Sequence, residues 1–435
     1  MLRQNVGNGR VREMKLVQIN RTDVTGGRFN GFSVRDALAG HGVQSTHLVW
    51  QKTSTDPRVQ EMLHFPGSRF LNRALSKIER EMSMHSVLQL QSFALPMEKA
   101  FREADVAHYH IIHDGFFSLH AMPMLARMKP SVWTWHDPWP MTGHCVYSMG
   151  CDRWRTGCGA CPDLSLFFAM KQDRTAQAHK TKRDIIRKTD IDIVLASQYM
   201  LDMARMSPAG ANARLHLIPF GLDLDLYRPR DRIAARRRFG IDDGRVVISL
   251  RAISSTFKGL PEFVEAINRL DTRVPIAILS FQETGYFNNH IGRHQIVELG
   301  WVKDDRTMVD ALNATDIFAM PSTAEAFGLM AIEAMAVGLP VVVFEGTSLP
   351  EVVFAPEAGV AVPMRDARAL AAAFKRLIED PQERRVRGDR SRVLAERHYG
   401  QALFVERLVK LYRDVLARRV RGRVSEAVHA NLAAH

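Results

Sequence analysis

Cysteine is scarce in this chain of 435 residues: there are four, all between positions 145 and 161. That supply excludes the disulfide scaffold of a small secreted domain. No apolar run reaches the roughly 20 residues a bilayer-spanning helix needs. The opening MLRQNVGNGRVREMKLVQIN lacks the apolar core of a secretory signal, so a cytoplasmic chain is predicted. The G-x-x-x-x-G-K-[ST] phosphate loop is missing, which argues against a P-loop kinase or ATPase. Missing too is the G-x-G-x-x-G opening of a dinucleotide dehydrogenase. Acidic residues are in deficit, 47 against 59 Lys and Arg, giving a formal charge of +12. The excess points to anionic partners, nucleotide-bearing substrates or an anionic membrane face among them. Aromatics are not interleaved with the basic runs at Arg236–Arg238 and 417–423, and no recognition-helix signature occurs, so no nucleic acid is expected. A solvated basic face is the bland account of the same surplus.

The chain is too long for one ordinary core, so two domains are the default. Short apolar strands alternate with helical patterns, the mark of α/β units with parallel sheets. KLVQIN (15–20) opens the first unit, with Gly26-Gly27 in the loop that follows. A basic amphipathic helix is expected from Phe70 to Met82, in a stretch read as an insertion shaping an acceptor groove. Two strands are expected to end in His-Asp pairs, at His113-Asp114 and His136-Asp137. His136 is the stronger candidate: at a strand's carboxyl end, a histidine with a fixed tautomer can hydrogen-bond a sugar hydroxyl. A linker with glycine and two prolines, PFGLDLDLYRP (219–229), marks the domain boundary.

The cysteines follow C-x5-C-x6-C-x2-C: Cys145, Cys151, Cys158 and Cys161, in an insertion over 144–162. Four thiolates with a closing C-x-x-C suit a closed structural Zn²⁺ staple. Two disulfides or four unliganded thiols are the alternatives, and His144 can replace one cysteine.

The second half restarts with RVVISLRAISSTFKG, whose loop carries Arg251 and Lys258, seven residues apart. Paired cations there can hold a diphosphate, Arg by a fork and Lys as a mobile point charge. The organising stretch is PSTAEAFGLMAIEAMAVGLPVVVF (321–344). It reads as a strand end, a loop carrying Glu325, a helix from about Phe327 to Val337 holding Glu333, a turn, and an apolar strand. Backbone N–H groups around Phe327, Gly328 and Leu329 are placed to receive a phosphate at the helix start. The two carboxylates can then take sugar hydroxyls on either side. The last helix, from 401, is expected to cross back to the first domain; residues 401–435 hold seven Lys/Arg against three Asp/Glu. Its basic face can graze an anionic membrane.

EAFGLMAIEAMAVGLPVV is similar to the E-x7-E signature of the family-4 retaining glycosyltransferases. SLRAISSTFKG resembles their phosphate loop, and IPFGLDLDLYRP their interdomain linker. WHDPWPMTGHC…GC…CP resembles a branch that makes exopolysaccharide, colanic-acid or O-antigen units. The resemblance implies a GT-B fold: two Rossmann-like domains, 1–218 and 219–400, facing across a cleft, with 401–435 crossing back. It implies a nucleotide-diphosphate sugar as donor, a glycan or lipid-linked glycan as acceptor, and no catalytic metal. Glu333 would bind the donor ribose, Glu325 the transferred sugar, Arg251 and Lys258 the diphosphate, and His136 the donor sugar. The backbone at Gly26-Gly27 would approach phosphates or acceptor. Retention is attributed to front-face attack assisted by the donor phosphate, so Glu325 is not a covalent nucleophile. Phe220 departs from the usual linker asparagine, and SSTFKG from the usual glycine-led loop. A same-fold epimerase or phosphorylase, or a silent glycan-lipid-binding scaffold, are the competing functions.

Overall fold

A computed structural model describes residues 13–23, 29–113, 115–287, 290–292 and 294–433, with side chains described as far as Arg421. Gly26 and Gly27 lie outside the described residues, as does Asp114. The first sheet holds β1 (Met14–Thr22), β2 (Val43–Gln51), β3 (Val59–Glu61), β4 (Val106–Tyr109), β5 (Ser131–Thr134), β6 (Asp192–Leu195) and β7 (Arg214–Leu217). Their order is β3-β2-β1-β4-β5-β6-β7, and every pairing is parallel. The second sheet holds β8 (Val246–Ala252), β9 (Ile276–Gln282), β10 (Gln295–Glu298), β11 (Ile317–Met320), β12 (Val341–Phe344) and β13 (Val360–Val362). It is again all parallel, ordered β10-β9-β8-β11-β12-β13. Both domains are therefore doubly wound α/β layers, with a reversal of strand order beside β1 and beside β8. Ligands of such sheets sit outside the carboxyl strand ends at that reversal.

Parallel strands covered on both faces read as unbroken apolar runs. Val341–Phe344 is such a run, with all four side chains fully buried. Burial of each contributes about 1.5–3 kcal/mol.

The domains are joined twice. Leu222 in the linker donates its N–H to Tyr399 O (2.8 Å) and accepts from Gln401 N (2.9 Å). The helix Gln401–Ala433 then packs on the first domain, where Tyr412 Oη meets buried His108 Nδ1 at 2.7 Å. The basic runs turn out to be partly structural. Arg232 and Arg236 pair with buried Asp316, Arg238 pairs with Asp310, and Arg418 pairs with Asp192. These pairs tie the basic runs to the fold, but each carboxylate is shared by two arginines, so the net surplus of +12 stands.

Candidate active site

The loop after β8 and the loop after β11 are locked together. Gly259 adopts φ +67, and a Cβ there would lie 1.8 Å from Pro321 O. Thr323 N donates to Phe257 O at 2.9 Å. This clamp carries Lys258 onto Glu325: Nζ to Oε2 is 2.7 Å, with the side chains only 9% and 12% exposed. Two residues picked out separately in the sequence thus form one ion pair. Gly259→Ala is expected to destabilise the protein by about 2–4 kcal/mol, from left-handed strain plus the carbonyl clash. A thermal melt no lower than wild type would show the loops to be independent.

Arg251, at the end of β8, donates Nε–H to Gln282 Oε1 at 2.5 Å. Gln282 itself holds φ +91, and no sequence signal marked it. The helix expected from Phe327 to Val337 spans Leu329–Ala336, because Gly328 at φ +99 is its left-handed N-cap. A Cβ on Gly328 would meet Leu349 Cδ2 at 2.5 Å. Ser348 Oγ donates to Glu325 O (3.1 Å) and Phe327 O (3.3 Å), pinning the loop from the far side. Glu333 is fully buried. It is not solvated, and it does not line the cleft pocket described below.

The first domain contributes His136. The expected strand stops earlier, at Thr134, so His136 stands two residues beyond β5 rather than within it. Its pairing with β6 ends at Thr134–Val194. The ring stacks on Phe220 at 5.6 Å and 9°. Phe220 is thus a platform, and it also meets Phe327 edge-on at 5.2 Å across the domains. His113, the other candidate, pairs with buried Asp137 (3.2 Å) and stacks on Trp139. It is buried in packing.

The tautomer of His136 follows from a chain of hydrogen bonds. Gln18 Nε2 donates to Ser45 Oγ (2.8 Å) and approaches the Gly31 carbonyl, an acceptor, at 3.5 Å. That fixes the amide orientation, so Gln18 Oε1 accepts from His110 Nε2–H at 2.9 Å. His110 Nδ1 must then accept, and His136 Nε2–H donates to it across 3.1 Å. His136 Nδ1 is left with a lone pair, buried and without a hydrogen-bond partner among the described residues. Burial holds the His136 pKa down at about 3, so the ring is neutral. The arrangement leaves Nδ1 as a hydrogen-bond acceptor, although His136 is not among the residues lining the interdomain pocket described below. Long-range ¹⁵N–¹H spectra are expected to show His136 as the Nε2–H tautomer in wild type. In His110→Leu they should show a mixture, because the acceptor for Nε2–H is gone. An unchanged spectrum would break the chain.

Between the domains lies a pocket of about 380 Å³, lined by Glu325, Thr323 and Arg365 on one side and Pro138, Tyr147 and Tyr199 on the other. The cysteine-rich insertion forms one wall. Tyr147 and Phe167 lie 5.3 and 5.7 Å from Phe257, next to Lys258. Two further cross-domain contacts escaped sequence reading. Glu351 accepts from Gln198 N (2.6 Å) and Tyr199 N (2.9 Å), and Ser197 Oγ donates to Ala326 O at 2.7 Å.

The zinc staple is not supported. Cys145, Cys151, Cys158 and Cys161 are free thiols. Among the described residues no group of three or more His, Cys, Asp or Glu is arranged to hold a metal ion. Burial pushes the Cys145 thiol up to about 12 and the Cys158 thiol to about 11, so both are protonated as they stand. The sulfurs take hydrogen-bonding roles instead: Gly143 N donates to Cys158 Sγ (3.2 Å), and Cys161 Sγ donates to Asp163 O (3.4 Å). Lys182, unmarked in the sequence, holds the base of the insertion. It is buried over Trp139 and donates to Trp139 O at 2.6 Å.

Residues 244–380 match the family model described as Glycosyl transferases group 1. The chain is 25% identical over 260 residues to a putative colanic acid biosynthesis glycosyl transferase WcaC of Escherichia coli, covering 57% of this chain and 61% of that one. It is 26% identical over 359 residues to an MMP alpha-(1->4)-mannosyltransferase of Mycolicibacterium hassiacum, covering 79% and 81%. In fold it is similar to a sucrose-phosphate synthase from Thermosynechococcus elongatus: TM-score 0.66, 18% identity, 93% of this chain and 100% of that one. It is also similar to Anabaena HepE in complex with UDP-glucose: TM-score 0.62, 14% identity, 92% and 100%.

Proposed function

We propose that this chain, whose residues 244–380 match the Glycosyl transferases group 1 model and whose two domains share the GT-B fold, moves a sugar, with retention, from a nucleotide-diphosphate donor to a glycan or lipid-linked glycan of a surface polysaccharide. The observation that carries the reading is the Lys258–Glu325 pair, held 2.7 Å apart beside the interdomain pocket.

Lys258 and Arg251 take the diphosphate, with the N–H groups at Gly328 and Leu329 beside them. Freed from Lys258, Glu325 accepts hydrogen bonds from hydroxyls of the transferred sugar. His136 Nδ1 accepts another. In the transfer, the bond from the anomeric carbon to the phosphate oxygen breaks and a bond to the acceptor oxygen forms. The acceptor's proton passes to the leaving phosphate, whose charge the two cations offset. Glu333 binds the donor ribose, which requires its buried carboxylate to be uncovered as the cleft adjusts. Peripheral contact with an anionic membrane accompanies a lipid-linked acceptor. No helix among the described residues is long and apolar enough to cross a membrane.

A panel of nucleotide sugars with soluble and lipid-linked acceptors, read by product mass spectrometry and by NMR of the anomeric centre, tests this. A product of inverted configuration removes the retaining assignment. Absence of transfer from every donor, with no nucleoside diphosphate bound, removes the function.

A further inference from the structure

A second cavity, of about 600 Å³, opens in the first domain and is lined by Arg21, Arg69, Arg73 and Arg80 together with Trp50 and Asn72. Among the described residues its walls include no carboxylate. Arg21, Trp50 and Gly115 stand at or beyond the carboxyl ends of β1, β2 and β4, the edge that also delivers His136. The opposite wall is one face of the helix Ser68–Glu81: positions 69, 72, 73, 76 and 80 recur at helical spacing. We propose that this groove binds the phosphate or diphosphate group of an amphiphilic acceptor, with the acceptor's apolar chain lying along the outer side of the same helix. The inference rests on the transferase reading and names the class of acceptor that reading leaves open.

Three observations set the groove apart from an ordinary solvated basic face. The helix's acidic residues are occupied elsewhere. Buried Glu79 accepts from Val87 N, Leu88 N and Gln89 Nε2 at 2.7–2.9 Å, and Glu81 pairs with Lys171. Arg69 is held by Glu61, while Arg73 and Arg80 form no ion pair with a described residue. These guanidinium groups share a concavity, where planar forks match phosphate oxygens. Finally, the helix does not hide its apolar residues. Phe70 is 77% exposed, Leu71 47% and Ile78 44%, with Phe65 at 47% just before the helix. An anion-binding face beside an exposed apolar face fits a molecule that is itself half anionic and half apolar. A free sugar phosphate would use only the first face, so the apolar arc decides for the amphiphile.

Farnesyl diphosphate serves as the probe, titrated into the full chain with UDP and GDP in excess to fill the nucleotide cleft. Farnesol and inorganic pyrophosphate are the companion arms. Farnesyl diphosphate is expected to bind more tightly than either, and less tightly as salt rises. Arg73→Ala with Arg80→Ala should weaken it by about tenfold or more, from the loss of two charge-assisted contacts. Arg73→Lys with Arg80→Lys should weaken it less. Both residues are exposed, so the variants should melt as wild type and bind UDP or GDP unchanged. Equal binding by the alanine variant, equal binding of farnesol, or no binding of farnesyl diphosphate each overturns the proposal. Pyrophosphate binding as tightly as farnesyl diphosphate would assign a soluble phosphate in place of the amphiphile, overturning that half. Nucleoside diphosphate binding is measured separately. Its failure would strike the transferase reading, and its success beside an idle groove would strike only this inference.

Discussion

Glu325→Ala is expected to lower the rate of sugar transfer by about 10²–10³-fold while leaving nucleoside diphosphate affinity within a few-fold. On the proposed reading Glu325 takes sugar hydroxyls and not the nucleotide, so its removal should appear in the transfer step. Lys258→Ala should cost transfer and nucleotide affinity together, because the ammonium is assigned to the diphosphate. The 2.7 Å pair adds a further consequence. Removing either partner leaves the other's charge largely enclosed and uncompensated, which is costly. The double variant should therefore lose less than the product of the two single losses. Single-turnover rates and nucleotide titrations on the three variants check this. Full multiplicative losses would mean that the two side chains act separately, and wild-type transfer by Glu325→Ala would remove that carboxylate from the site.

Much of the architecture was legible because parallel strands buried on both faces leave apolar runs in the sequence. VVVF at 341–344 is one such run, and the E-x7-E stretch before it carries its glycines at the turns. Positions within the site were less legible. The strand leading to His136 ends at Thr134, since its ladder to β6 ends there even though the apolar run continues through Trp135. Phe220 read as a departure from a linker pattern, yet it is the surface on which His136 lies. The Gln18–His110–His136 chain joins residues about a hundred positions apart, and no local period encodes such a contact. Glu351 likewise caps a helix more than 150 residues earlier, at Gln198 and Tyr199. The zinc reading of the cysteine spacing finds no support among the described residues. Four thiols close in sequence imply a shared ligand, but spacing does not determine where sulfur atoms point.

The same buried histidines make the fold acid-labile, with stability expected to fall steeply between pH 6.5 and 4.5. Burial holds His47, His108 and His136 at about 3, and His85 and His179 at about 4, against 6.5 for the unfolded chain; burial places His110 well below that value too. Below pH 6.5 the unfolded chain binds protons that the folded chain refuses, so acid draws the equilibrium toward unfolding. Each such histidine contributes a slope of about 1.4 kcal/mol per pH unit. The contacting set His108, His110 and His136 alone gives about 4 kcal/mol per pH unit, large beside a typical stability of about 5–15 kcal/mol. Carboxylates held low act in a separate window. Asp23, lowered to about 2, loses its contribution only as pH falls below its unfolded value of 3.8. Glu98 and Glu351, raised by burial, oppose the trend, but they are two against six. Urea midpoints measured from pH 7.5 down to 4.5 should therefore drop well before the carboxylate range is reached. His108→Gln should flatten the slope by one histidine's share, even though it also loses the Tyr412 contact. A midpoint that stays level from pH 7 to 5 would mean that these rings take up protons in the folded state, and the neutral chain that fixes the His136 lone pair would fall with it.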